Sequence, residues 1–202
     1  MNKKRIYLSS PHMSGNELKY VQEAYDTNWV APLGPNVDEF ENEIIKDTGV
    51  KYASALSSGT SAIHLALTIL GVDKQDEVIC SSFTFSASVN PICYLNAIPI
   101  LIDSETETWN ICPELLESAI KDRIEKGKLP KAIIVVHLYG MPAKMDEILS
   151  ISAKYNIPII EDAAESLGST YKNRHTGTLG EIGIYSFNGN KIITTSSGGM
   201  LV

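Results

Sequence analysis

The sequence predicts an α/β fold, in which a mostly parallel sheet carries helices on both faces. From residue 51 onward, short apolar runs alternate with stretches of helical periodicity, which is the pattern of successive β/α units. Residues 132–137 form a run rich in β-branched side chains, which is typical of a strand covered on both faces. The chain has 202 residues, of which 44% are hydrophobic and 20% charged, so it is globular and long enough to bury a substantial core.

Residues 1–50 are predicted to be an N-terminal helical segment. Residues 14–17 read as a capping box that starts a first helix. A turn-rich stretch with two prolines and a tryptophan follows at residues 27–35. Asn36 is the predicted cap of a second helix, and Gly49 is its predicted end.

The β/α units are predicted in order along the rest of the chain. The predicted strands are residues 52–56, 78–80, 98–102, 132–137, 157–160, 182–187 and 200–202. The predicted helices are one that follows the turn at 57–60 and ends at Gly71, and those at 86–95, 113–127 and 145–155. Because the chain stops within an apparent strand, we expect that it is a fragment of a longer protein, with a terminal strand as the alternative.

Composition disfavours several classes of protein. The net charge of −7 disfavours nucleic acid and anionic membranes as partners. No apolar run reaches the length of a transmembrane helix, and no apolar stretch follows the basic start as in a signal peptide. Cys80, Cys93 and Cys112 form no CxxC pair, so we expect reduced thiols, no metal site and a cytoplasmic location.

Candidate functional residues follow predicted strands, where open α/β sheets bind their ligands. Ser58, Gly59 and Thr60 connect a strand to a helix. The free N–H groups and the dipole of a helix N-terminus suit a phosphate, and a glycine permits its close approach. Taken alone, the same residues favour an ordinary helix cap.

Two charged features lie at other strand ends. Glu161 and Asp162 follow the predicted strand at 157–160, where a carboxylate can hold a metal, a ribose, a loop or a protonated ring nitrogen. The structural alternative is that Asp162 caps the segment that begins at Ala163. Lys191 lies in a polar turn after a strand, so it is either a surface lysine or a Schiff-base lysine.

Aromatic and other motifs add less. Phe85 follows a strand and either stacks on a planar cofactor or packs in the core. No GxGxxG motif opens the first β/α unit, which argues against a dinucleotide-binding site, and the spacing at 183–191 does not match a P-loop. His64 is expected to pack within an apolar helix, whereas His137 ends a strand and can line the same cleft.

Taken in order, these features resemble the fold type I pyridoxal-phosphate enzymes, and more narrowly the DegT/DnrJ/EryC1/StrS sugar aminotransferases. The resemblance runs from residue 11 to residue 202. Its motifs are SSGTSA at 57–62, FTF at 83–85, EDAAE at 161–165 and SFNGNK at 186–191. Residues 27–30 and 187–194 are similar to a bacterial subgroup that aminates the 4-keto group of a UDP-linked sugar on routes to bacillosamine-type sugars.

The resemblance implies pyridoxal 5′-phosphate as cofactor and two catalytic residues. Lys191 would form a Schiff base with the cofactor and then carry protons. Asp162 would pair with the pyridinium nitrogen and keep it protonated, so that the ring acts as an electron sink. Related dehydratases carry histidine in place of this lysine, so Lys191 favours transamination.

Five further residues would hold the cofactor if the resemblance is followed. Gly59, Thr60 and Ser186 would bind its phosphate, and Phe85 would stack on its ring. Glu165 lies close to the position of the phenolic oxygen, where many members of the family have glutamine or histidine. A carboxylate there would repel a phenolate unless it were protonated or turned away.

The resemblance also implies the activity and the assembly of the whole protein. We expect residues 1–202 to be the N-terminal part and most of the large, cofactor-binding domain of an aminotransferase. The enzyme would pass an amino group from an amino acid, with glutamate as the expected donor, to the 4-keto group of a nucleotide-linked 4-keto-6-deoxy sugar for glycan or polysaccharide synthesis. A homodimer with shared active sites is expected, and the C-terminal small domain would lie beyond residue 202. The alternatives are a truncated, non-catalytic binding or assembly protein with the same fold, and a nucleotide-dependent enzyme.

Overall fold

The computed structural model describes residues 5–7 and 10–202, so part of the basic start used in the signal-peptide argument lies outside the described residues. The helices are α1 (Glu17–Asp26), α2 (Pro35–Thr48), α3 (Gly59–Ile69), α4 (Asn90–Tyr94), α5 (Pro113–Glu125) and α6 (Met145–Tyr155). The strands are β1 (Ser54–Leu56), β2 (Glu77–Ser81), β3 (Ile98–Ile102), β4 (Ala132–Val136), β5 (Ile159–Asp162), β6 (Thr170–Tyr171), β7 (Arg174–His175), β8 (Ile182–Ser186) and β9 (Gly199–Leu201).

Seven strands form one sheet in the order β1-β9-β8-β5-β4-β2-β3. The neighbours from β3 to β8 are all parallel, whereas β9 runs antiparallel to both β8 and β1. The short strands β6 and β7 form a separate antiparallel pair. The prediction of a mostly parallel sheet is therefore confirmed.

Helices cover both faces of the sheet and make a three-layered structure. Side chains alternate between the faces of a strand, so Ile160 packs with α3 and α4, while Ile159 packs with α5 and α6. The same alternation sends the two carboxylates of β5 in opposite directions. Asp162 lies on the face of Ile160, and Glu161 lies on the face of Ile159.

A third cluster fixes the segment that leads to Lys191. Ile44 of α2 packs with Tyr185, Phe187 and Met200. The rings of Phe40 and Phe187 lie 4.8 Å apart in an edge-to-face arrangement. Such a contact stabilises the pair beyond its buried area, so α2 anchors the end of β8.

The strand that carries Asp162 has different bounds in the structure from those predicted. The strand predicted at 157–160 is β5, which contains Asp162 instead of preceding it. The N–H of Ile157 donates to Ser152 O at 3.1 Å, and Pro158 has no N–H, so the strand begins only at Ile159.

The helix predicted at 86–95 is interrupted. A 3₁₀ turn covers Ser86–Ser88, and the short helix α4 follows it. Pro91 lies in the first turn of α4, where its missing N–H costs nothing. One continuous helix would need that N–H to bond four residues back, which explains the break.

The N-terminal helices also begin differently from the prediction. Pro35 starts α2 and Gly34, with φ of 138°, precedes it, so Asn36 is not the cap. The capping box forms only in half. Glu17 accepts a hydrogen bond from the N–H of Ser14 at 2.5 Å, but no side chain caps the first turn of α1.

Two further findings bear on the predicted class of protein. No helix among the described residues is long and apolar enough to span a membrane. The three cysteines are free thiols, of which Cys80 is buried and Cys93 is exposed.

Candidate active site

A cavity of about 320 Å³ opens at the carboxyl ends of the central parallel strands. All seven site residues predicted from the sequence line it: Gly59, Thr60, Phe85, Asp162, Glu165, Ser186 and Lys191. These residues come from four separate segments of the chain, and the parallel strands bring those segments to one edge.

One end of the cavity is the N-terminus of α3. Gly59 and Thr60 are its first two residues, whose N–H groups have no carbonyl partner within the helix. Ser58 Oγ caps the turn by accepting a hydrogen bond from Ser61 N–H at 3.1 Å. A Cβ at position 59 would lie 3.1 Å from the Ser186 Cβ, so glycine brings the helix end and a second hydroxyl together. The helix dipole and the hydroxyls make this end suitable for an anion.

Asp162 faces the cavity from the end of β5 and is only 6% exposed. Its Oδ2 accepts a hydrogen bond from Ser88 Oγ at 2.6 Å, and its Oδ1 accepts one from Ala164 N–H at 3.2 Å. Burial raises the pKa of Asp162 above its usual value, although both hydrogen bonds and the charge of Lys191 act against this effect. A cationic ring placed in the cavity would offset the cost of burying the carboxylate.

Lys191 is not a surface lysine. Its side chain is 11% exposed, and its Nζ lies 3.0 Å from Glu165 Oε1. The other oxygen of Glu165 accepts a hydrogen bond from Tyr139 N–H at 3.2 Å. Glu165 is thus directed toward the amine that the sequence analysis placed in the site.

Phe85 is 75% exposed and lines the cavity, so core packing does not explain it. Phe83, two residues before, instead packs near the Trp109 ring at 5.9 Å. The Phe85 ring is therefore available for stacking on a planar group.

Glu161 has a different environment from its neighbour Asp162. It is fully buried, and its Oε2 lies 2.8 Å from Nε2 of His137. The Nδ1 of His137 accepts a hydrogen bond from Ala143 N–H at 3.1 Å, so the hydrogen-bond network assigns the ring proton to Nε2. Three backbone N–H groups also donate to Glu161, those of Gly177, Leu179 and Gly180.

These donors keep Glu161 ionised. Burial alone would raise its pKa, but the His137 hydrogen bond and the backbone N–H groups lower the pKa of Glu161 below its usual value. Glu161 does not line the cavity, whereas His137 does. The described residues contain no group of three or more His, Cys, Asp or Glu side chains that could hold a metal ion.

Sequence analysis missed Ser88 and Thr84, which also line the cavity. Their hydroxyls lie 2.7 Å apart, and Ser88 contacts Asp162 from a position 74 residues earlier. Nothing local marks a serine in a 3₁₀ turn as the partner of so distant a carboxylate. The spacing of four residues between the two hydroxyls was the one available signal.

Known proteins resemble this chain in sequence and in fold. A Bacillus subtilis strain 168 protein with the provisional name pyridoxal phosphate-dependent aminotransferase EpsN is 58% identical over 199 residues, which cover 98% of this chain and 51% of that protein. A GDP-perosamine synthase of Caulobacter vibrioides is 44% identical over 197 residues, covering 98% and 52%. The chain thus spans about half the length of the curated relatives it matches.

A solved structure from Streptococcus pneumoniae, Spr1654, is provisionally described as a sugar aminotransferase in its PMP form. It superposes with a TM-score of 0.90 at 29% identity, over 98% of this chain and 52% of that one. The fold type I aminotransferase fold predicted from the sequence is thereby confirmed. A family model matches residues 11–202, and the chain belongs to the DegT/DnrJ/EryC1/StrS aminotransferase family.

Proposed function

We propose that residues 1–202 are the N-terminal part and most of the large, cofactor-binding domain of a pyridoxal-phosphate-dependent sugar aminotransferase. One observation carries the proposal. The amine of Lys191 and the carboxylate of Asp162 line the same cavity, and the N-terminus of α3 closes one end of it. These are the groups that an aromatic aldehyde with a ring nitrogen and a phosphate requires.

The donor set fits pyridoxal 5′-phosphate at each position. Gly59, Thr60 and Ser186 offer N–H and hydroxyl donors to a phosphate. The buried Asp162 is completed by a protonated ring nitrogen, since a cation offsets the cost of its burial. The open face of Phe85 suits the pyridine ring.

Asp162 and Lys191 then have defined roles. Pyridoxal phosphate, when bound, supplies an electron sink for the negative charge that develops on the carbon beside the amino group. Asp162 holds a proton on the ring nitrogen. Lys191 would hold the cofactor through Nζ, and its free amine would move a proton to and from the substrate carbon.

Glu165 would lie between the amine of Lys191 and the phenolic oxygen of the cofactor. In the structure it pairs with Lys191 at 3.0 Å. We propose that it holds Nζ in place and would take up the proton that the Lys191 ammonium group must lose before the amine can hold the cofactor. The repulsion expected between a carboxylate and a phenolate is avoided if a proton lies between Glu165 and that oxygen.

The proposed substrates are an amino acid, with glutamate as the donor, and a nucleotide-linked 4-keto-6-deoxy sugar whose 4-keto group is aminated. Support comes from the sequence resemblance and from relatives named GDP-perosamine synthase, a name that specifies a nucleotide-linked product. No observation favours the alternative of a non-catalytic binding protein, and the presence of Lys191 argues against it.

We further propose a homodimer. No residue of α1 is buried, and apolar side chains of the following turn are exposed, among them Trp29, Val30 and Leu33. Such a patch is typical of a contact surface, and two-fold symmetry would place the same patch on both subunits.

Borohydride reduction tests the proposed function. The protein is incubated with pyridoxal phosphate, reduced and mapped by peptide mass spectrometry. We expect the pyridoxyl group on Lys191 and none in the Lys191→Ala variant. Lys144, which pairs with Glu105 and Glu107 away from the cavity, supplies a control in Lys144→Ala. Label on another lysine, or no label at all, would contradict the proposal.

A further inference from the structure

Three side chains beside the cavity are joined into one line by hydrogen bonds between their oxygen atoms. Thr84 Oγ1 is 2.7 Å from Ser88 Oγ, and Ser88 Oγ is 2.6 Å from Asp162 Oδ2. Ser88 is 1% exposed and Asp162 is 6% exposed, so bulk water does not compete for these contacts. The line joins the segment after β2 to the end of β5.

The protons in this line have a defined direction. An ionised carboxylate only accepts hydrogen bonds, so the Ser88 hydroxyl donates to Asp162. The single proton of the Ser88 hydroxyl is then engaged, so its oxygen accepts a hydrogen bond from the Thr84 hydroxyl. Both O–H dipoles consequently point their positive ends toward Asp162, which stabilises the ionised carboxylate.

The two oxygens of Asp162 have few other donors. Ala164 N–H donates to Oδ1, and Ser88 is the side-chain donor to Oδ2 among the described residues. Each carboxylate oxygen has two lone pairs, so capacity remains on the side that faces the cavity. Ser88 therefore favours the ionised form of the carboxylate and, together with Ala164 N–H, holds its orientation.

The geometry points to Ser88 as a positioning residue, supported by Thr84, that keeps Asp162 ionised and directed at the ring nitrogen of the bound cofactor. The inference rests on the proposed function, because the ring nitrogen belongs to pyridoxal phosphate. It assigns a task to a hydroxyl that need not contact the cofactor. An ordinary buried serine bonded to the nearest acceptor would stabilise the fold without any effect specific to the charge of Asp162.

The pH dependence of cofactor binding separates these two roles. Cofactor dissociation constants are measured by absorbance from acidic to neutral pH for the wild type, Ser88→Ala, Ser88→Thr and Ser86→Ala. Ser86 lies exposed in the same 3₁₀ turn and does not line the cavity, so it is the matched control. Thermal unfolding of each variant checks folding.

We expect Ser88→Ala to bind the cofactor on the order of tenfold more weakly at neutral pH, since a donor to a charged group is lost. Without that donor the carboxylate takes up a proton more readily, so the loss of binding in acid begins at a higher pH than in the wild type. Ser88→Thr keeps the hydroxyl, so its dissociation constant at neutral pH and the pH of its acidic loss of binding are expected to match the wild type. Ser86→Ala is expected to match the wild type.

A uniform weakening of Ser88→Ala at every pH, with no displacement of the acidic loss, would show a structural role and overturn the inference. If Ser88→Ala does not fold, Ser88→Cys, a weak donor of similar size, must show the displacement, and an unchanged profile overturns the inference equally. A wild type that binds no pyridoxal phosphate would overturn the proposed function and the inference with it. A wild type that binds beside unaffected Ser88 variants would overturn the inference alone.

Discussion

The two faces of the sheet at the end of β5 carry neighbouring carboxylates with opposite environments. On the face of α5 and α6, Glu161 receives hydrogen bonds from His137 and from three backbone N–H groups. On the face of α3, Asp162 receives one hydroxyl and one N–H, and its remaining capacity faces a cavity. Burial is nearly complete on both faces, so the difference lies in the number of donors.

That difference separates a carboxylate whose hydrogen bonds are supplied within the fold from one that the proposed function assigns to the cofactor. The donors around Glu161 lower its pKa despite burial, and they tie β5 to the loop that contains Gly177 and Gly180. The fewer donors around Asp162 leave its pKa raised. A buried carboxylate without enough donors is costly by itself, which is the condition under which a cationic ligand binds with most benefit.

The largest effect is expected at Asp162, the carboxylate with fewer hydrogen-bond donors. Asp162→Asn keeps the size and the Ser88 contact but removes the charge that holds the ring nitrogen protonated. We expect the rate of amino transfer to fall roughly 10²–10³-fold, with little change in thermal stability. Single-turnover kinetics with the amino donor measures the rate.

Asp103→Asn is the matched control for that experiment. Asp103 follows β3 at the same edge of the sheet but is exposed and does not line the cavity. Its variant should keep the wild-type rate. If Asp162→Asn transferred the amino group as fast as the wild type, the role proposed for the Asp162 charge would be contradicted.

The second-largest effect is expected at Glu161, the carboxylate with more hydrogen-bond donors. Glu161→Gln replaces an ionised acceptor by an amide whose NH₂ group must face backbone donors. We expect a loss of about 3 kcal/mol in the free energy of unfolding, since a buried charge network is broken. Denaturant unfolding measures it. Glu147→Gln, at an exposed position of α6, should change stability by less than about 0.5 kcal/mol.

The folded fraction of Glu161→Gln sharpens the contrast with Asp162→Asn. Because Glu161 does not line the cavity, cofactor bound per folded molecule should stay near the wild-type value. A selective loss of cofactor at unchanged stability would mean that the two carboxylates act as one unit.

The elements that sequence analysis placed well are those with strong local signals. The helix Met145–Tyr155 and the strand Ile98–Ile102 have the predicted bounds. The helix keeps its apolar periodicity, and the strand tolerates Pro99 because it lies at the edge of the sheet. The helix predicted at 86–95 is interrupted in the structure, because Pro91 outweighs the apolar pattern there.

The cavity residues were predictable because strand ends and family motifs both indicated them. The partners that distinguish Glu161 from Asp162 were not. Ser88 reaches Asp162 across 74 residues, and the donors to Glu161 come from a loop 16 to 19 residues later. A sequence fixes which face of a strand a side chain takes, but only the folded chain decides how many donors meet it there.

The smallest expected effect is a difference in the pH dependence of stability. For Glu161 the folded pKa lies below the usual value of 4.5, so its stabilisation is present above that pH and is lost as pH falls through the lowered pKa. For Asp162 the folded pKa lies above the usual value of 3.8, so its ionisation costs stability at neutral pH, and the cost disappears as pH falls through the raised pKa. Without cofactor, Asp162→Asn should therefore be slightly more stable than the wild type at pH 7, while the deficit of Glu161→Gln should shrink in acid. Urea unfolding of both variants between pH 3 and pH 7 measures the two slopes, and slopes of the same sign would contradict the opposite environments inferred for the two carboxylates.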